Sequence, residues 1–275
     1  MSYKENVVLW SNDQTFAFNI WDINSAKAVI DAAFEKRKNI VLQTSASIYS
    51  SIPQKQIREF VTSYANEKKV TVWLNLDHCK DAAVIKDAID KGWDLVMIDA
   101  SDKDLDQNIA ITNAITQYAH EKSVLVEAEV GKISGTGENR SVIEQNVAKK
   151  EDIARFLNET NVDMIAVAFG NAHGKYKGEP FLQYDLIEYT GKIAKIPFVV
   201  HGGSGLSDKV LRKLLSFRNV RKINISTDLK TAYQQGIMHA LDSGHLKDNF
   251  QPVCVEKNIY DEIKKVAACK LDLLD

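Results

Sequence analysis

The chain has 275 residues and is poor in features that would place it in several functional classes. It has three cysteines, Cys79, Cys254 and Cys269, an odd count with no CxxC pair. That argues against a disulfide framework or a zinc ribbon and for a reducing compartment. There are four prolines and no Ser/Gly-rich or low-complexity stretch, so linker signals are scarce. No apolar run reaches the roughly 18 residues of a membrane span, so none is expected. The opening residues MSYKENVVLWSNDQ lack the apolar core of a signal peptide, and the expected location is cytoplasmic. Charge is balanced: 35 basic against 37 acidic residues, a net charge of −2 and a pI near 6.3. A nucleic-acid binder would show a basic excess. A small anionic substrate stays compatible, because a pocket needs only a few local donors.

What the chain does have is rhythm. Residues 16–21, 39–45, 70–77, 94–101, 124–130, 163–169, 197–203 and 220–226 are short β-rich runs, among them NIVLQTS, VTVWLNLD and DMIAVAF. They are nearly continuously apolar, as parallel strands buried on both faces are. Amphipathic helical patterns fill the gaps: from about Asn24, after Pro53, from Asp81 to Gly92, and over 104–122, 150–160, 183–195, 207–216 and 228–243. Eight strand–helix units predict an α/β fold, a (β/α)8 TIM barrel, with a doubly wound open sheet as the runner-up. A length prior of roughly one domain per 150 residues allows two domains, but such barrels fold as one unit, so 1–275 is expected to be a single domain. A tail at about 245–275, helical over 256–268, adds an element outside the eight units. Residues 131–148 (GKISGTGENRSVIEQNVA) break the rhythm as a long polar connection, the kind that serves as a lid or mobile loop.

In this architecture the active site lies at the C-terminal ends of the strands. Those ends carry Asn19; Thr44-Ser45; Asp77-His78; Asp99 and Ser101; Glu127 and Glu129; Asn171-Ala172-His173-Gly174; His201-Gly202-Gly203-Ser204-Gly205; and Asn224, Ser226 and Thr227. His120, His239 and His245 fall on helices or just past one and read as solvated or half-buried helix residues. His78, His173 and His201 converge on one mouth, which suits a three-imidazole metal site with an open position. Asp99 and Glu127 read equally as partners that orient a histidine ligand or as buried barrel acids. The HGGSG turn offers backbone N–H groups without Cβ hindrance, and Ser226-Thr227 opens a helix whose N-terminus favours an anion. Lys175 and Lys177 read as solvated loop lysines.

At these residues the sequence resembles the class II, metal-dependent fructose-bisphosphate/tagatose-bisphosphate aldolase family. The stretches are LNLDHC, VMIDAS, VEAEVGKISGTGEN, AVAFGNAHGKYKGEP, VVHGGSGLS and KINISTDLKTAY, spread over nearly the whole chain. The resemblance implies a (β/α)8 lyase that cleaves a phosphorylated ketose to dihydroxyacetone phosphate and an aldehyde. It implies His78, His173 and His201 as metal ligands, Glu129 as an alternative metal position, and Asp77 as the acid/base at the aldehyde-derived oxygen. Gly174, Gly202, Ser204, Asn224, Ser226 and Thr227 would grip the phosphate and ketone end. Asn19 and Ser45 are further substrate-binding candidates. The cofactor implied is Zn2+ or another divalent ion, with a monovalent cation in support, and the partner a second copy in a homodimer or homotetramer.

The chain departs from the family pattern in three places. After the fifth strand the family carries Gly-Gly-x-Glu-Asp, and here Gly135-Thr136-Gly137-Glu138-Asn139 stands, with Glu138 as the candidate loop acid. Cys79 follows His78 where glycine is common, with an expected effect on the pocket floor. No C-terminal arginine is assignable to a second phosphate. The substrate is thus left open between a bisphosphate and a ketose monophosphate or sugar-acid phosphate. A non-catalytic metal-dependent sugar-phosphate binder is the alternative of another class. A Schiff-base aldolase would need a lysine in the mouth, and Lys222 lies a layer too deep. A metal hydrolase would want an HxH pair on the first strand, where Asn19 stands.

Overall fold

The computed structural model describes residues 13–135, 137–174, 176, 178–242 and 251–275. Lys175, Lys177, His245 and the start of the expected tail lie outside the described residues. Eight strands, β1 (Thr15–Asn19), β2 (Ile40–Ser45), β3 (Val72–Cys79), β4 (Leu95–Ile98), β5 (Leu125–Val130), β6 (Met164–Val167), β7 (Phe198–Val200) and β8 (Val220–Ile225), form a closed barrel in sequence order. Every neighbouring pair is parallel, and β8 closes on β1 through Ala17 opposite Asn224.

The apolar runs have a simple cause. Alternate strand residues point inward and outward, and both directions are dry. Ala17, Val41, Trp73, Leu95, Met97, Leu125, Met164, Ala166 and Val199 make an inner cluster. Their neighbours, such as Phe16, Leu42 and Val126, pack into a separate outer cluster with the helices. The interior is filled, so the chemistry is confined to the mouth.

The helices α1 (Ile23–Lys36), α2 (Ala46–Ser51), α3 (Gln54–Lys68), α4 (Ala82–Asp90), α5 (Leu105–His120), α6 (Arg140–Asn146), α7 (Lys150–Glu159), α8 (Tyr184–Ile193), α9 (Asp208–Leu215), α10 (Thr227–Asp242) and α11 (Pro252–Leu271) surround it. Their starts follow local chemistry: Asp22 and Ser25 form a capping box, Asp81 accepts from Ala83 N–H, and Ser207 from Val210 N–H. α11 is longer than the sequence pattern suggests. It lies on α10 so closely that a Cβ on Gly236 would sit 2.5 Å from Ile259 Cα. It is tied to α1 by Tyr260, which donates to Asp31 at 2.6 Å, and by the Lys264–Glu35 pair.

Two helices were not expected. α2 follows β2 directly, and α6 lies inside the segment read as a loop. α6 buries none of its residues, so it has no apolar stripe to read. Its Arg140 guanidinium covers the Phe181 ring at 4.7 Å and pairs with Glu144 one turn on. No helix among the described residues is long and apolar enough to cross a membrane.

Candidate active site

The mouth is built around a bend in β3. Asp77 and His78 are consecutive and would normally face opposite sides of the sheet. The β3–β4 register shifts between Leu76 and Cys79, and His78 takes a left-handed φ of +45°. Such a conformation is uncommon for a residue with a side chain and costs about 1–3 kcal/mol, so the surroundings must enforce it. The shift turns both side chains toward the mouth. It also returns Cys79 to the outer layer, where it is fully buried among core residues and donates weakly to Asp81 O. Cys79 therefore does not form the pocket floor.

His78, His173 and His201 meet as expected. Their ring centroids lie 4.5 to 5.8 Å apart, and one nitrogen of each falls within 4.8 Å of the others. The outer nitrogens of two rings are engaged by carboxylates. His78 Nδ1 lies 3.0 Å from Asp99, whose other oxygen accepts from Ser101 at 2.7 Å. His201 Nε2 lies 2.7 Å from Glu127. Asp99 and Glu127 thus contact histidines directly. A second cluster, His78, Asp99 and Glu129, shares the His78 ring.

The electrostatics follow from burial set against charge. Burial alone would lower His78, but Asp77, Asp99 and Glu129 overcome it and push the imidazole up to about 9. Burial and the positive field of His78 lower His201, and the same two causes, with His201, hold His173 well below its usual range. Lys230 adds to that field at His173. On β5, burial pushes Glu129 up to about 7. Two residues earlier, Lys222 and His201 override burial and hold Glu127 at about 2.

These residues fit a divalent ion. With both outer nitrogens donating to carboxylates, His78 Nε2 and His201 Nδ1 turn lone pairs toward each other at 2.8 Å. Only a proton or a cation between them relieves that. Glu129 Oε2 and Asn224 Oδ1 are buried at the same place without a hydrogen-bond partner. Imidazole nitrogens with a carboxylate in reserve suit zinc and several neighbouring metals.

Asp77 sits beside the cluster in an amide lattice. Asn224 Nδ2 donates to one carboxylate oxygen at 3.2 Å and Gln43 Nε2 to the other at 3.1 Å. Gln43 also donates to Asn19 at 2.9 Å and accepts from Asn75 at 3.3 Å. Asn19 is thus in the lattice, and Ser45, half-buried, stands opposite Asp77 in register and shares a hydrogen bond with Ser47. Sequence reasoning missed Gln43 and Asn75. They are interior strand positions with no motif, and only their polarity amid apolar neighbours marks them.

The anion-binding candidates lie where β7 and β8 end. Ser204 Oγ accepts N–H groups from Ser226 at 3.0 Å and Asp228 at 3.2 Å, at the start of α10, with Thr227 between them. The Ser204 hydroxyl thus caps this helix N-terminus, the end whose dipole favours an anion. Gly202 has φ +71°, and a Cβ there would lie 2.1 Å from Ala172 O. Tyr176 accepts from Ala172 N–H and donates to Gly202 O, which joins the loops after β6 and β7; Gly174, at φ +86°, turns between them.

The loop after β5 reaches over the same region. Ser134 O accepts from His173 N–H at 2.9 Å. Glu138, His173, Tyr176, Arg140 and Phe181 line one cavity of about 190 Å3, and Glu138 Oε2 is buried there without a partner. Lys222 is fully buried and lies 2.6 Å from Glu127. Its ammonium is committed to that carboxylate, which removes it as a Schiff-base nucleophile.

The family described as fructose-bisphosphate aldolase class-II matches residues 14–275. Among curated relatives, the 6-phospho-5-dehydro-2-deoxy-D-gluconate aldolase of Bacillus subtilis is 35% identical over 78% of this chain and 75% of its own. The fructose-bisphosphate aldolase of Staphylococcus aureus is 31% identical over 90% and 83%. The sulfofructosephosphate aldolase of Alkalicoccus urumqiensis is 30% identical over 82% and 79%. The YdjI aldolase of Escherichia coli K12 shares the fold with a TM-score of 0.81 at 24% identity, over 99% of this chain and 95% of that one. The chain belongs to the class II fructose-bisphosphate aldolase family, lyases that depend on a divalent metal.

Proposed function

We propose that the protein catalyses reversible aldol cleavage of a phosphorylated ketose, of fructose- or tagatose-bisphosphate type, to dihydroxyacetone phosphate and an aldehyde. The observation that carries this reading is the meeting of the three-imidazole cluster with Asp77 and Asn224 in one mouth, beside the Ser204-capped N-terminus of α10.

His78, His173 and His201 would hold the ion, proposed as Zn2+, and Glu129 offers an alternative ligand. Bound there, it supplies Lewis-acid polarisation of the ketone oxygen. Asp77 exchanges a proton with the hydroxyl oxygen at the breaking bond. Asn224 Nδ2, 3.3 Å from His201 Nδ1, would donate to the developing oxyanion. Glu138, its free oxygen in the cavity beside His173, moves the proton at the ketone-side carbon. Ser204, Ser226, Thr227, Gly174 and Gly202 hold the phosphate and so position the reacting carbons. Asn19 and Ser45 face the aldehyde half, and a monovalent cation supports the phosphate.

A ketose monophosphate or sugar-acid phosphate is the second reading. It is favoured by the names of two relatives, a sulfofructosephosphate aldolase and a 6-phospho-5-dehydro-2-deoxy-D-gluconate aldolase. Residues 1–275 are proposed as one domain that acts in the cytoplasm and pairs with further copies of itself as a dimer or tetramer, which light scattering measures.

The test is direct: release of dihydroxyacetone phosphate from a panel of ketose mono- and bisphosphates and sugar-acid phosphates, with and without EDTA. Cleavage abolished by EDTA and restored by zinc supports the reading and names the substrate. Cleavage indifferent to chelation, or none with zinc bound, overturns it.

A further inference from the structure

We propose that Lys222 and Glu127 are positioning residues: their buried pair fixes His201 in the tautomer that carries its proton on Nε2 and turns the Nδ1 lone pair toward His78 and His173. The inference rests on the metal-dependent reading above and adds to it a device in the barrel interior.

Lys222, Glu127 and His201 are all fully buried. An ammonium only donates, and Lys222 donates to Glu127 Oε2 at 2.6 Å. An ionised carboxylate only accepts, and Glu127 Oε1 lies 2.7 Å from His201 Nε2. A neutral His201 must then carry its hydrogen on Nε2. The other ring nitrogen, Nδ1, is the one that lies 2.8 Å from His78 Nε2. Asn171 Nδ2 donates to the His201 backbone carbonyl at 3.0 Å, which holds the stretch of chain that carries the ring. Each oxygen of Glu127 is thus assigned, one to the lysine and one to the imidazole.

Fold stability gives little reason for such a pair. Buried ion pairs commonly contribute no more than apolar residues of the same volume. What an apolar pair could not do is dictate which imidazole nitrogen carries the proton. The arrangement differs from that at His78, where Asp99 is braced by the Ser101 hydroxyl and backbone rather than by a cation.

The geometry makes a sharp prediction for Glu127→Gln. Lys222 still requires an acceptor and claims the amide oxygen. The amide N–H then faces His201 Nε2, which drives the ring proton to Nδ1 and removes the lone pair aimed at the cluster. In the double variant Lys222→Met/Glu127→Gln the amide is free to turn, and its oxygen again accepts from Nε2–H. Adding the second mutation is therefore expected to restore what the first removed.

The measurement is Zn2+ affinity of the full-length protein by competition with a chromophoric chelator, with far-UV circular dichroism to verify folding. Imidazole 15N shifts of the metal-free protein report the His201 tautomer. Glu127→Gln is expected to bind zinc about 10–100-fold more weakly, with the proton on Nδ1, and the double variant to recover about tenfold. Zinc affinity of Glu127→Gln within about threefold of the parent, or a folded double variant no better than the single one, overturns the proposal. Should Glu127→Gln not fold, Lys222→Met/Glu127→Gln is compared with Lys222→Met/Glu127→Leu. Tighter zinc binding by the glutamine form supports the proposal, and equal binding overturns it. A parent protein that binds no zinc sinks the metal-dependent reading itself, which separates the two failures.

Discussion

Replacing Asp77 by asparagine separates catalysis from stability. The carboxylate accepts from Asn224 on one oxygen and Gln43 on the other. An asparagine there must turn its amino group toward one of these donors. Gln43 cannot adapt, since its amide is locked by Asn19 and Asn75. Asn224 can, because its Oδ1 has no partner and a flip presents it to the new amino group. The hydrogen bond between positions 77 and 224 is then kept, and the cost is the difference between charged and neutral hydrogen bonds, about 1 kcal/mol, or a fall of about 2–4 °C in Tm for a chain of this size. The catalytic cost is far larger. The acid/base is lost, worth about 10²–10⁴ in rate, and the flip also withdraws the Asn224 donor from the oxyanion. Asp77→Asn is expected to lower kcat at least about 100-fold, about 3 kcal/mol on the barrier. Steady-state cleavage, calorimetric Tm and zinc content on one preparation make the test. A kcat within about tenfold of the parent, or a Tm loss of about 10 °C or more, refutes the reasoning.

Four further outcomes follow from the site. His78, lifted to about 9 without metal, must lose its proton to become a ligand, so zinc affinity is expected to climb with pH up to about 9. The same group stabilises the chelated protein fully below pH 6.5 and loses that contribution as pH rises through about 9; a flat Tm profile across that window counts against it. Glu138→Gln is expected to slow hydrogen exchange at the ketone-side carbon of dihydroxyacetone phosphate by about 10²–10⁴, read by NMR in deuterated water, with zinc affinity unchanged. Gly202→Ala would place a methyl 2.1 Å from Ala172 O at φ +71°, so the turn must open, with a rise in KM for every phosphorylated substrate and a lower Tm; an unchanged KM argues against this turn holding phosphate.

Much of the barrel was legible in one dimension. Strands such as DMIAVAF show apolar residues at consecutive positions because the interior packing and the helix layer both exclude water, and that signal is local. His78, His173 and His201 stood out because polar residues at strand ends interrupt those runs. α6 was missed for the converse reason: it buries nothing, so no periodicity records it. α11 exceeded its expected span, and its added last turn is held by α10 through the Lys270–Asp228 pair rather than by its own pattern.

What the sequence alone determined was the order of the strands, their closure count and the chemical types gathered at their ends, all carried by local patterning. Tertiary structure decided how those types are used. Glu127 and Glu129 are two residues apart on one strand, yet one is pinned ionised between Lys222 and His201 while the other has only the His78 ring, 3.8 Å away and shared with Asp99. Gln43 and Asn75 read as nothing until β2 and β3 lie side by side. The turn that brings both Asp77 and His78 to the mouth depends on a register shift against β4. Each is set by contacts between residues far apart in the chain, where the local alphabet is silent and the distance between two side chains decides.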